Sequence, residues 1–523
     1  MGSIKSTNFR QIIDTSQQMG FPVCACSKRC TSASERLPGR SLVVICCAIL
    51  LLTPIKAVCK ASRTPHLFSV KVASLQEMEA NKLSILLAAS RIPVIDAPDS
   101  KQNRTQVADI SAYVHPEDYL KAGQSKEAFS NNELDASPAI NTALATGKSV
   151  ILPCGYYQVN EMLQLTRYGQ SLSGASRSCT TLALNIKSGP AIKYSSINQS
   201  IHDLELDFTQ KNVGGSAIYS EHSSGSHLYN LVIQGAAYNG IYIVSSGGVE
   251  IDNVNFLPPR LDGELIPDPQ KGPAYAGGAA ITLVNDVNTG KPTLDTFLNE
   301  INISQYKYGL MITDASGVYS GSGLNIVGCK HAIVLAPGDA QTVNVVQFSN
   351  VLGDTSFDDN WYITGGGLIN EVMCVNCWAS SSVSGAGLSA DNTNPESGQI
   401  SFTNSTFLNN FSQGIKLNGM KNWNLTNITV EMNSREGAGK YPDISIMENT
   451  GDYIRIQNSF IGKGGRISAL GGNTNTTYAV ESSKYSLDKH LMLTGNQTAG
   501  HILGMFKLPL SRKNVINELN QGN

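Results

Sequence analysis

Ile400-Ser-Phe-Thr-Asn-Ser-Thr-Phe407, Trp423-Asn-Leu-Thr-Asn-Ile-Thr-Val430 and Ile454-Arg-Ile-Gln-Asn-Ser-Phe-Ile461 repeat one pattern. Between them lie Gln413-Gly-Ile-Lys-Leu-Asn-Gly419 and Asp443-Ile-Ser-Ile446. Each run is short, alternates apolar with polar residues, and ends in Asn or Gly, which is the period of two that strands show. No helical pattern separates them, yet parallel strands joined within one sheet normally need a long crossover. A chain that repeats strand and turn without one can stack its strands only by coiling, each turn burying its apolar face against the turns above and below. The expected fold is all-β, a single-stranded parallel β-helix.

The pattern extends upstream from Val343–Val351 back to Ile201–Phe208. Two strand families alternate. One is led by glycine (Gly240, Gly309, Gly387, Gly414) and the other carries asparagine (Asn253, Asn302, Asn325, Asn427). Glycine is expected at corners that need positive φ. Asparagines stacked along the axis are expected to form a hydrogen-bonded ladder.

Charged residues make up 15% of the 523-residue chain, against ~25% in typical globular proteins. With 48 glycines and 41% hydrophobic residues, the composition suits many tight turns around an apolar core and not disorder. The net charge of −2 makes no electrostatic case for nucleic acid.

Arg36 and Arg40 precede the apolar run Leu42–Leu52. That run is shorter than the ~20 residues a membrane-spanning helix needs. It reads as the core of a signal peptide, with Cys59-Lys-Ala61 offering small residues for cleavage before Ser62. The chain is therefore expected to be secreted, periplasmic or at the cell surface, meeting a membrane only through this segment if it stays uncleaved. The expected organisation is a leader over 1–61, a cap or linker over 62–130 with a helical stretch from Leu75 to Ala89, a β-helix over 131–472, and a C-terminal cap or oligomerisation segment over 473–523.

Six of the 11 cysteines fall in the leader, leaving Cys154, Cys179, Cys329, Cys374 and Cys377. An odd number leaves at least one thiol unpaired. Cys154 and Cys179 sit about one coil apart and are the expected disulfide. Cys374-Val-Asn-Cys377 has redox or metal spacing, but without a second such pair it reads as small residues inside a strand.

Ser137-Pro-Ala-Ile-Asn-Thr-Ala-Leu-Ala-Thr-Gly147 carries helix punctuation at both ends, with Ser137 as the expected N-cap, Pro138 in the first turn and Gly147 past the end. An apolar face of Ala139, Ile140, Ala143 and Leu144 would close the open end of the coil. Asp135 stands before this helix, and then come Val150-x-x-Pro153-x-Gly155-x-Tyr157-x-Val159 and Leu172-x-Gly174. This stretch resembles the opening of pectate-lyase-like right-handed β-helix proteins, which include polysaccharide lyases, pectin-type hydrolases, epimerases and phage tailspike depolymerases. Asn131-Asn-Glu-Leu-Asp135 replaces the glycine-rich run usual before the helix in that group. The resemblance implies a right-handed coil, a polysaccharide substrate, and, from tailspike-like relatives, the option of a homotrimer.

Two stretches break the rhythm, and insertions in a solenoid become loops on one face, often the binding face. Leu257 to Gly278 carries Arg260, Asp262, Glu264, Asp268 and Lys271; Gly353 to Gly367 carries Asp354, Asp358, Asp359, Trp361 and Tyr362. Adjacent Asp358 and Asp359 repel, which can raise one pKa towards general-acid use. Trp361, Tyr362 and Tyr242, with Tyr238, Tyr306 and Tyr308, are candidate platforms for sugar rings, and Arg260 and Lys271 candidate polar contacts. Asp286, Asp314 and Asp391 fall near a common offset after the glycine-led strands, as does Glu448. Asp286 and Asp314 are the expected partners of Asp358 or Asp359 in glycoside hydrolysis. The plainer reading is that these acids cap turns. No cofactor is expected for a hydrolase, whereas a uronate lyase or epimerase would call for Ca²⁺, and a glycan-binding surface protein would need no chemistry.

Overall fold

The computed structural model describes residues 113–522 apart from 209–214, 236–237, 259, 262–263, 266–277, 464–474, 483–488 and 509–513. The signal segment and the stretch from Leu75 to Ala89 lie outside the described residues. Among those described, no helix is long and apolar enough to cross a membrane.

The chain coils as a right-handed parallel β-helix, the architecture that the resemblance implies. Each full coil contributes one strand to each of three faces. Trp361–Gly365 lies on face III, Leu368–Val375 on face I and Trp378–Ser380 on face II. Leu388–Asn392, Gly398–Thr403 and Thr406–Leu408 then stack on these three in parallel register. Face III is a single run of thirteen strands from Leu163–Leu165 to Gly504–Lys507.

Register turns the period of two into a core. The pairs on face III align Ile241, Ile281, Leu310, Ile333, Trp361, Leu388, Ile415 and Ile444 in one column. All are fully buried. The next residue of each strand points outward and forms a second column: Tyr242, Thr282, Met311, Val334, Tyr362, Ser389, Lys416 and Ser445. A slip of one residue would exchange the columns, so register is strongly determined.

Asparagine forms the expected ladder and also takes the tight bends, whereas the strand-leading glycines recur for a reason other than positive φ. The one-residue bend between faces I and II is left-handed at Asn350, Asn376, Asn404, Asn427 and Asn458, with φ between 51° and 58°. Asparagine tolerates this region better than other side-chain-bearing residues. Its amides also bond from coil to coil, as Asn427 Nδ2 does to Asn404 Oδ1 at 2.6 Å. A second outward ladder joins Asn325, Asn302 and Asn255 at 3.2 and 3.1 Å. The strand-leading glycines have no positive φ. They are excluded from bearing a side chain by contact: a Cβ on Gly309 would sit 2.5 Å from the Ala332 carbonyl oxygen, and one on Gly414 2.4 Å from Val430 Cγ1.

Helix Ser137–Ala145 buries Ala139, Ile140, Ala143 and Leu144 against the first coils. Asp135, not Ser137, holds its start, accepting from the Ser137 amide at 3.0 Å. The Ser137 hydroxyl instead receives the Asn160 and Glu161 amides, pinning the helix to the coil. Gly147 follows the helix with φ 81°.

The coil is longer than the boundary at 472 allows. Strands Leu491–Thr494, Gln497–Ala499, Val515–Glu518 and Gln521–Gly522 continue faces I and II. At the other end Tyr113–Val114 already pairs with Ser149–Val150, and Lys126–Ser130 is a short helix. Cys154 and Cys179 are disulfide-bonded, and so are Cys374 and Cys377, which corrects their reading as separate thiols; Cys329 is free and buried.

Two substitutions separate these backbone causes by thermal denaturation. Asn427→Ala should lose roughly 1 kcal/mol because alanine resists the left-handed bend, and Asn427→Gly, which loses the ladder bond but keeps the φ, should lose less. Gly309→Ala should cost about 1–3 kcal/mol as an overpacked site.

Candidate functional site

Asp358 and Asp359 lie on the corner loop that leads from face II onto face III. Asp359 Oδ1 accepts from the Ala386 amide at 2.6 Å, and the Asp358 amide donates to the Lys330 carbonyl. Burial pushes the Asp359 carboxyl up to about 6; the Ala386 amide opposes this, and neighbouring Asp358 adds to it. Asp358 is 40% exposed at its side chain.

Beside them runs an aromatic stack. The His331 ring lies 4.7 Å from Tyr362 and 5.9 Å from Tyr308, near-parallel to both. The Asp359 carbonyl can only accept, so His331 Nδ1, at 3.0 Å, carries the proton in that bond. In the neutral ring the lone pair then sits on Nε2, 3.9 Å from Asp358 Oδ2. Burial between the rings holds His331 well below its ordinary pKa, so it is neutral near pH 7. Lys307 lies over the Tyr308 ring at 5.1 Å.

A cleft of about 380 Å³ adjoins this cluster on face III. Tyr308 belongs to both, and Tyr238, Tyr242, Asn239, Asn285, Met311 and Gln341 line the remainder. A second cleft, of about 190 Å³, opens further along the same face at Gln413, Lys440, Tyr441 and Ser445. The acid pair sits between the two.

The remaining acids lie on the opposite edge of face III. His331 pairs with Tyr308, and Tyr308 with Ala279, which places Asp359 level with the starts of those strands. Asp314 and Asp286 follow the same strands at their far ends. At ~3.3 Å per residue they stand at least about 20 Å from Asp359 along the strand direction, and Asp391, in register with Thr364, at least about 16 Å. Paired carboxylates in glycosidases stand ~5–10 Å apart. The expected partnership of Asp358 or Asp359 with Asp314 or Asp286 is therefore corrected. Asp286 caps its own turn, accepting from the Asn288 amide and the Thr289 hydroxyl, which lower its pKa. Burial raises that of Asp314, and the Thr342 amide opposes it. Asp391 accepts from the exposed Asn418 amide at 2.8 Å.

Trp361 is no sugar platform. It fills a slot in the inward aliphatic column and is fully buried, edge-on to Phe402 at 5.3 Å. Tyr306 is likewise buried against Phe256. Gly353 to Gly367 is not an insertion but two ordinary strands joined by the acid-bearing corner. Arg260 opens a short antiparallel hairpin, and its side chain and Lys271 lie outside the described residues. His331 escaped the sequence reading because nothing local marks it: its partners come from residues 308, 358–359 and 362. Among the described residues no three His, Cys, Asp or Glu side chains converge as a metal-binding group.

A further buried carboxyl, Asp443, is structural. It sits inside the coil among Asn433, Thr476 and His501, and burial raises it to about 7.

No protein-family model matches this chain, and no curated protein matches it. Among solved structures it is similar to the A-module of the mannuronan C-5 epimerase AlgE6 of Azotobacter vinelandii, at a TM-score of 0.48 and 12% identity over 78% of this chain and 99% of that one. It is similar to the catalytic domain of a GH87 α-1,3-glucanase in complex with nigerose (0.45, 11%, 79% and 69%). It is also similar to PfbA, a surface adhesin of Streptococcus pneumoniae (0.43, 12%, 75% and 91%). At such identities no residue role passes from them to this chain.

Inward and outward aromatics on one strand should behave oppositely. Trp361→Ala should cost about 3–5 kcal/mol. Tyr362→Ala should cost under ~1.5 kcal/mol, the scale of one aromatic pair, and show itself in glycan binding instead; denaturation and titration of both variants check this.

Proposed function

We propose that this is an exported, polysaccharide-active protein that holds a glycan chain along face III and cleaves its glycosidic bonds there. Asp359 delivers a proton to the leaving oxygen as the glycosidic bond breaks, Asp358 beside it supplies the second carboxyl, and water supplies the hydroxyl that bonds to the anomeric carbon. The observation that carries the reading is a carboxyl raised to about 6 by burial, set at the edge of an open face beside an aromatic stack that leads into a cleft. A general acid must be protonated before it acts, and burial keeps Asp359 so nearer to neutral pH than an ordinary carboxyl. His331 fixes the loop from its Nδ1 side, and Tyr308 and Tyr362 offer ring faces to a sugar.

A second reading, a glycan-binding surface protein without chemistry, has its own support. Asp286, Asp314 and Asp359 each accept from a backbone amide, as turn-capping acids do.

The test is a panel of neutral and acidic polysaccharides, with reducing ends and ultraviolet absorbance followed together, with and without EDTA. Reducing ends without absorbance support hydrolysis. Absorbance that chelation abolishes would replace it with a calcium-dependent lyase, and binding without products would leave the surface protein. Asp359→Asn should lower turnover by roughly 10²–10⁴-fold while binding survives; unchanged turnover overturns the assignment.

The pH dependence has a definite sign. Asp359 is raised above its ordinary value, so activity should fall as pH climbs through about 6. The same shift makes the ionised carboxyl a burden on the fold, so its stabilising balance is best below ~4 and is lost as pH rises through about 6. Asp359→Asn keeps an oxygen for the Ala386 amide and should unfold no earlier than wild type at pH 7, which calorimetry can check.

A further inference from the structure

The cleft at Tyr242 and Tyr308 has a chemical polarity that its backbone contacts determine. Asn239 is almost fully buried, and its Oδ1 receives the Ala279 amide at 3.0 Å and the Thr282 hydroxyl at 3.2 Å. A backbone N–H can only donate, so the atom it meets is the Asn239 oxygen, which leaves Nδ2 as the donor end of the side chain. The same logic runs through two further amides. The Gly338 amide donates to Gln341 Oε1 at 2.7 Å, which leaves Gln341 Nε2 to donate to Asn285 Oδ1 at 2.9 Å. Asn285 therefore also keeps its oxygen engaged and its Nδ2 available.

Two amide donors with fixed orientation thus share a cleft with Tyr238, Tyr242 and Tyr308. Tyr242 stacks on Tyr219 at 5.9 Å. Among the described residues that line the cleft, none is Lys, Arg, Asp or Glu. Donors without a cation suit hydroxyl, ring or acyl oxygens. They leave a carboxylate without the charge partner that its desolvation calls for. The aromatic lining suits the apolar face of a pyranose ring.

We propose that this cleft is a subsite for a neutral sugar unit, so that the chain bound on face III is a neutral polysaccharide and not a polyuronate. The inference rests on the reading of face III as the glycan-binding face and adds the substrate class. Charge near the acid pair is a separate matter: Lys330 and Lys416 act on Asp359 from three and six coils beyond Tyr242, and Lys307, two coils beyond it, lies over the ring of Tyr308.

The test uses the full chain and a panel of neutral polysaccharides, N-acetylated ones included, beside polygalacturonate and polymannuronate. Binding is read by affinity electrophoresis and calorimetry at low and high salt. The tightest ligand should be neutral, with an affinity indifferent to salt. Asn285→Asp keeps an oxygen for Gln341 but turns the exposed donor into an acceptor; it should weaken that ligand by roughly tenfold or more, the scale of one unsatisfied bond. Tyr242→Ala should weaken it similarly, with thermal unfolding of both variants unchanged within a few degrees.

A polyuronate as the tightest ligand overturns the proposal, as does neutral binding that ignores both variants or a panel with no neutral ligand. A neutral chain that binds through Asn285 but is turned over equally by the Asp359→Asn variant would remove the catalytic reading and leave the subsite standing. A chain cleaved through Asp359 but indifferent to Asn285→Asp would do the reverse.

Discussion

The one-residue bend between faces I and II governs the rest of the molecule. Each coil must turn sharply after its strand on face I, and one residue in the left-handed region does this at Asn350, Asn376, Asn404, Asn427 and Asn458. Because the bend recurs at the same position, every coil has nearly the same perimeter. Equal perimeters keep the strands in register, and register keeps the aliphatic column inward. The amide ladder adds a bond between coils where the chain is most tightly bent. Upstream the same place is taken by Asp203, Asn230 and Asn253, within longer strands.

A scaffold so regular has room for variation only at its other corners. The loop from face II to face III differs from coil to coil, and one of these loops carries Asp358 and Asp359. Successive loops stack through backbone bonds, with the Ser384 amide donating to the Phe357 carbonyl and the Ser412 amide to the Gly385 carbonyl. The acids are therefore held on a rigid edge, and the packing that holds them also desolvates Asp359. The rise to about 6 is a consequence of position: burial outweighs the opposing Ala386 amide and the charges of Lys416 and Lys330. His331 is held in the same way, its ring clamped between tyrosines on the coils below and above.

How much of this was legible beforehand depends on the range of the cause. The disulfide Cys154–Cys179, the capping helix and the apolar alternation follow from neighbours in sequence or from one repeat. The adjacency of Asp358 and Asp359 was likewise plain, because it is covalent. The site around them was not. Tyr308, His331 and Tyr362 lie in three successive coils and meet only through register. Trp361 looked like a binding aromatic because it neighbours two acids, yet the alternation that starts at that strand sends it inward and Tyr362 outward. Asp286 and Asp314 looked like partners because they follow similar strands. That similarity places them on one edge of face III, and the acid loop occupies the other.

The sequence by itself determined the coil: a period of two, no crossover helices, and glycine and asparagine recurring at set places leave a chain no other way to bury its apolar residues. Only the tertiary structure decided why those two residue types recur. Asparagine takes the left-handed bend, and glycine leads strands because a side chain would strike the carbonyl of the next coil. Only the structure, too, decided which acids share an edge, which amides line the cleft, and which carboxyl is desolvated. These are properties of stacking, in which residues one coil apart in sequence come within ~5 Å, and short-range pattern carries no information about what each coil sets upon the next.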